Sequence, residues 1–300
     1  MKRYIAYSLA PLLILLAIVS TACLLGYPVT LVLGDPSILR KIIHRLTQIF
    51  LVLSIFPAMA YLKLKKEDLG FTAKSVFLKQ LQQGFGIGLV TLMPIFIILY
   101  VLGVNVADTS QPWTVGFMAE KMIMSLLLAL LIGVVEESVF RGMLLAGLKK
   151  NMPVFAAILI SSAYFAALHF LDSKTEIPRQ QLNVFSGFIL LGEAIENVLN
   201  PKNASAFFSL LMVGAFLAVL RTQIKESLGL CIGCHAGWVW QIKVSGSLFN
   251  TDYSSEYLYL VSSYNYVVGP LVTGWLFLAV AGYFVYQQIN KKKSARILSS

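Results

Sequence analysis

The run Met122–Leu148, MIMSLLLALLIGVVEESVFRGMLLAGL, decides how this chain is read. It is long and apolar enough for a membrane span, yet it carries Glu136, Glu137 and Arg141 within six positions. An ionisable side chain at that depth costs roughly 2.5–3.5 kcal/mol on insertion scales. Three of them predict a polar interior that the chain keeps for a purpose. On a helix, Glu137 and Arg141 lie four residues apart on one face, in the favourable acid-before-base order. Glu136 is rotated by about 100° from its neighbour and points elsewhere. One carboxylate is therefore expected to be tied to the arginine, and the other left for a different task. A structural staple between helices is the competing reading of the same three residues.

The rest of the chain fits that setting. It has 300 residues, of which 58% are hydrophobic and only 13% charged. Soluble domains carry about 25% charge, so the bilayer is the expected solvent. The formal charge of +10 does not indicate nucleic acid, because the basic residues gather in short clusters between apolar segments. That is a positive-inside pattern with attraction to anionic lipid. Helical spans are expected at about 5–27, 42–62, 84–104, 117–148, 154–171, 204–220, 228–244 and 267–287. The fold class is thus all-α, a polytopic membrane bundle of about eight transmembrane helices forming one integral domain over 1–300. Residues 182–199, broken by Glu193, Glu196 and glycines, read as an interfacial or re-entrant segment.

Lys2 and Arg3 ahead of an apolar stretch imitate a signal peptide, and Ser20–Cys23 imitates a lipoprotein box. The apolar run continues to Leu33, so an uncleaved first span is expected. Of the 24 lysines and arginines, fifteen fall in the connectors on the N-terminal side and eight on the other, the last being Arg141. Both termini are accordingly expected in the cytoplasm, and the protein in a bacterial cell membrane.

Two of the three histidines lie in apolar segments: His169 after Phe165-Ala166-Ala167-Leu168, and His235 after Cys231-Ile232-Gly233-Cys234. Counting a rise of ~1.5 Å per residue from the nearest basic cluster puts Glu136, His169 and His235 at roughly 20, 28 and 15 Å depth. Allowing for tilt, the three share a layer. A carboxylate with two imidazoles in a shielded pocket polarises water for attack on a carbonyl, or binds a metal such as zinc. His44, beside Lys41 and Arg45, reads as interfacial.

Glu136-Glu137-Ser138-Val139-Phe140-Arg141 fits EExxxR, and Phe165–His169 fits FxxxH. His235-Ala236-Gly237-Trp238-Val239-Trp240 heads a third element. In order and spacing these resemble the CPBP family of intramembrane proteases, the Abi or CAAX-protease group. The resemblance covers roughly 117–244 as a catalytic core. It implies an endopeptidase acting on a membrane-associated protein or peptide, with Glu136 activating water, His169 and His235 completing the site, and Glu137 and Arg141 supporting it or holding the substrate. The family is labelled a metalloprotease group, though a metal-free glutamate mechanism is also argued for it, so the cofactor stays open between zinc and none. The third element usually ends in Asn or Asp four residues after the histidine, where this chain has Val239. Trp238, Trp240, Gln241 or a backbone amide are the expected substitutes for the lost donor.

Other functions compete less well. Cys231-Ile232-Gly233-Cys234-His235 matches the haem-attachment pattern, but inside a span it is expected to hold no haem. A redox pair lacks its strand–helix context, and adjacent Cys234 and His235 diverge too far to act together. A transporter would need paired broken helices. A non-catalytic immunity or scaffolding protein on the same fold is the principal alternative.

Overall fold

The computed structural model describes residues 2–298. Ten α-helices dominate it: α1 (Lys2–Leu33), α2 (Leu39–Leu62), α3 (Lys74–Val101), α4 (Val115–Glu137), α5 (Leu145–Lys149), α6 (Val154–Leu168), α7 (Ser186–Leu199), α8 (Ala204–Gln223), α9 (Leu228–Leu248) and α10 (Pro270–Leu298). A π-helical stretch, Ser138–Leu144, joins α4 to α5 without a break. The only sheet among the described residues is a two-stranded antiparallel clip. Its strands are β1 (Asn105–Ala107) and β2 (Phe249–Thr251), and Val106 lies opposite Asn250. The chain is all-α in architecture.

Each of the eight expected spans is a helix. Six helical stretches are long and apolar enough to cross a membrane: 4–33, 39–62, 74–101, 115–149, 201–223 and 270–291. Their outward side chains are apolar, as with Val32 and Val90, which are 86% and 74% exposed. Large apolar side chains in the open suit lipid rather than water. The other two expected spans differ for physical reasons. Helix α6 has only 15 residues, a short rod held among its neighbours. Helix α9 is long enough, but every residue from Leu228 to Trp238 is buried in protein, so it needs no lipid-compatible surface. Residues 186–199 form α7, which packs its buried Ser186, Gly187, Leu190 and Ala194 against α1 and α2.

Helix α9 is the axis of the bundle, lying between α3 and α4. Glycines let it approach so closely. A Cβ built at Gly84 would stand 2.1 Å from the Leu230 carbonyl oxygen, and one at Gly233 would stand 2.1 Å from that of Leu81. Gly88 and Gly237 repeat the arrangement one turn on, with 2.5 and 2.8 Å to the Cys234 and Phe85 carbonyl oxygens. Small residues four apart on both faces draw membrane helices into backbone contact. This contact sets the height and rotation of α9, and with them the position of His235.

Candidate active site

The π-helical stretch begins immediately after Glu137. Such i→i+5 turns insert a residue into a helix and often occur at functional positions. Here the stretch carries Arg141 into the protein interior, where it is 1% exposed. Arg141 Nη1 donates to Glu137 Oε1 at 2.9 Å, and Nη2 donates to the Gly214 carbonyl of α8 at 3.2 Å. Its guanidinium carbon sits 4.2 Å from the centre of the Phe165 ring, a cation–π contact. The i,i+4 pair expected from the sequence is present and fully enclosed.

Glu137 has a second partner that the sequence did not disclose. His235 Nδ1 lies 2.8 Å from the same Glu137 oxygen. A carboxylate only accepts, so Nδ1 carries a proton, and in the neutral imidazole Nε2 is left with a lone pair. His169 is oriented in the same manner by a different acceptor. Its Nδ1 lies 2.7 Å from the Phe165 carbonyl oxygen, one turn back on α6, which in the neutral ring again turns an unprotonated Nε2 outward. Phe165 therefore does three things: its carbonyl fixes His169, and its ring packs 4.5 Å from the His169 ring and 5.9 Å from that of His235.

Both Nε2 atoms face Glu136. Each is 3.9 Å from Glu136 Oε2, and that oxygen is buried without a hydrogen-bond partner. Three lone-pair atoms from α4, the end of α6, and α9 thus converge, with no protein donor between them. The depth count placed them in one layer, and the structure brings them together. A water molecule seated here would donate to two of these three acceptors. Hydrogen bonds of about 2.8 Å span a 3.9 Å gap with an angle near 90° at the water oxygen. Zinc, with bonds of roughly 2.0–2.1 Å, would need an angle of about 140°, far from tetrahedral. Among the described residues no three His, Cys, Asp or Glu side chains stand at metal-ligating spacing. As placed, these residues do not fit a zinc ion.

The three groups line a cavity of about 250 Å³. Its wall is apolar (Leu92, Ile95, Leu210, Val239, Val272), while Tyr264 and Asn265 reach it from the loop before α10. His44 lies elsewhere, in a pocket of about 60 Å³ beside Arg40 and Asp172. The three side chains expected to substitute for Val239 are engaged. Trp238 donates to Thr91 Oγ1 at 2.8 Å and Trp240 to the Met122 carbonyl at 2.9 Å, while the Gln241 amide donates to Gly88 and Gly237 at 3.0 Å each. Their donors serve helix packing. Cys231 and Cys234 are wholly buried, and the backbone around Cys234 is pressed against Gly84 and Gly88, which leaves no room for a porphyrin.

Residues 118–241 match the family model described as type II CAAX prenyl endopeptidase Rce1-like. Over this stretch the chain is similar to the CAAX-protease (CPBP) family. No curated protein and no solved structure matches the chain. The CAAX-protease match spans α4, the π-helical stretch, α6 and most of α9, and so includes all five expected site residues. It ends before the loop that carries Tyr264 and Asn265. With six helical stretches long and apolar enough to cross a membrane, the chain is an integral membrane protein, and its residues 118–241 are similar to a peptide-cleaving family.

Proposed function

We propose that this protein is an intramembrane endopeptidase that hydrolyses a peptide bond near the C-terminal, membrane-associated end of its substrate. The convergence of Glu136 Oε2, His169 Nε2 and His235 Nε2 carries this reading, because a water there can donate to Glu136 and to one imidazole where no protein donor competes. Water held there is polarised by Glu136, which takes a proton as the water oxygen bonds to the substrate carbonyl carbon. The carbonyl π electrons move onto its oxygen. When that oxyanion collapses, the carbon–nitrogen bond breaks and the departing nitrogen receives the proton from Glu136. One water is consumed, and the products are a new carboxyl terminus and a new amine.

The supporting residues each have a task. Glu137 holds His235 in the tautomer that leaves Nε2 free, and Arg141 holds Glu137 in place from inside the bundle. The Phe165 carbonyl does for His169 what Glu137 does for His235. The substrate is a protein or peptide delivered from the bilayer, since the cavity wall is apolar and the surrounding helices face lipid. Residues 1–300 act as one membrane domain with both termini in the cytoplasm of a bacterial cell, and 117–244 supply the catalytic core. The test is a comparison of protein termini in membranes from cells carrying wild type or Glu136→Gln. Trimmed C-termini present only with wild type support the reading. Identical terminal sets with both proteins would favour a non-catalytic scaffold.

A further inference from the structure

Hydrolysis at this seat places a negative charge on the substrate carbonyl oxygen, and a donor aimed there is worth about 10²–10³ in turnover. One turn beyond His235 the cavity wall is Val239, which has nothing to donate. Trp238, Trp240 and Gln241 are committed to packing, and the Trp275 indole donates to the Thr91 carbonyl at 2.8 Å. Three cavity-lining donors outside the histidines are left: Lys243, Tyr264 and Asn265. Lys243 is eight residues along α9 from His235, about 12 Å by helical rise. Tyr264 stands at the rim, 40% exposed, with its ring edge-on to Phe170 and 6.4 Å from that of His169.

Asn265 is different because its amide is already fixed. Its Oδ1 accepts the backbone N–H groups of Val267 and Val268 at 3.1 and 2.8 Å. Only the oxygen end can accept, so this pairing decides which way the amide faces. Nδ2 is the remaining end, and it meets no protein acceptor among the described residues. The loop itself is closely tied. Ser262 N donates to the Val268 carbonyl at 3.1 Å, the Ser262 hydroxyl donates to the same carbonyl, and Tyr266 N donates back to Ser262 at 3.0 Å. Packing is tight at its end, where a Cβ at Gly269 would stand 2.6 Å from the Val261 backbone. A donor fixed before the charge develops costs no reorganisation at the moment of reaction.

We propose that Asn265 Nδ2 donates a hydrogen bond to the oxyanion of the tetrahedral intermediate, supplying from the loop before α10 the donor that position 239 lacks. No proton is transferred in that contact. The assignment rests on the hydrolytic reading above and adds a catalytic residue outside the matched stretch 118–241.

The test uses the full-length protein in liposomes with a quenched fluorescent peptide ending in farnesylcysteine and three aliphatic residues. Asn265→Asp keeps the oxygen that caps Val267 and Val268 but removes the donor. It is expected to lower kcat about 10²–10³-fold, with KM within about twofold and thermal unfolding unchanged. Asn265→Ala should match its kcat, and Val239→Asn introduced beside Asn265→Asp should recover part of the loss. Wild-type kcat in both Asn265 variants overturns the assignment, as does a loss explained entirely by unfolding. Glu136→Gln run in parallel separates the two claims. If it is inactive while Asn265→Asp is fully active, only the Asn265 assignment falls. If wild type leaves the peptide intact, or Glu136→Gln cleaves it, the hydrolytic reading falls and takes this assignment with it.

Discussion

Replacing Glu137 with glutamine isolates the buried charge pair from the geometry around it. Glutamine keeps an acceptor oxygen for Arg141 Nη1 and His235 Nδ1 but removes the negative charge. Glu137 is fully buried and Arg141 is 1% exposed, so water cannot take over as the counter-charge. Removing one member of such a pair typically costs about 3–5 kcal/mol, because the other is left buried and uncompensated. The Gly214 carbonyl and the Phe165 ring offset part of this, which puts the expectation at the lower end, about 3 kcal/mol. Reversible unfolding in mixed micelles would measure it. Adding Arg141→Met should restore most of the stability, since an apolar side chain in that place carries no unpaired charge. Activity should not return with it, because His235 is still held by a neutral acceptor. A neutral hydrogen bond is weaker than a charge-assisted one by about 1–2 kcal/mol, or roughly 5–30-fold in rate. A double-mutant cycle with coupling below about 0.5 kcal/mol would refute the reasoning.

Other outcomes follow from the same structure. Gly233→Ala forces its new Cβ against the Leu81 carbonyl oxygen and should destabilise the bundle by about 1–3 kcal/mol or more, whereas Gly86→Ala, with nothing within 4 Å, should be near neutral. The unfolding assay compares them directly. Asp108, in the loop after β1, is held below the usual carboxylate range by hydrogen bonds from Ser110 and Gln111. Its contribution to loop order is therefore present above about pH 4 and lost as pH falls through the depressed value. Limited proteolysis of residues 108–114 should become faster only there, and acceleration at neutral pH would contradict it. Cysteine placed at Lys149 should resist impermeant labelling from outside intact cells, and ready labelling would reverse the proposed orientation.

The parts of this fold that follow from periodicity and burial cost were legible in the sequence. Eight apolar runs mark eight helices, and the i,i+4 spacing of Glu137 and Arg141 marks their ion pair. Depth counting brought Glu136, His169 and His235 to one layer because helical rise is constant. What depends on how helices meet was hidden. The Glu137–His235 contact joins residues 98 apart, and it exists because Gly84, Gly88, Gly233 and Gly237 let α3 and α9 touch. Their spacing of four was visible as a pattern, but not as a contact between those two helices. The π-helical stretch at Ser138–Leu144 has no signature in composition. Trp238, Trp240 and Gln241 were credible donors near Val239 until the structure showed where each N–H goes. Asn265 could not be found by motif spacing, because a loop outside the matched stretch carries it into the cavity.

The central claim is that Glu136, seated between two imidazoles whose Nε2 atoms face it, activates water for peptide hydrolysis. Its most direct test is the cleavage rate of the farnesylated peptide by purified wild type and Glu136→Gln in liposomes. The variant should fold as stably as wild type, since the change removes a buried oxygen that has no protein partner. The account predicts a rate lower by about 10²–10⁴-fold. Cleavage by the glutamine variant at the wild-type rate would contradict it.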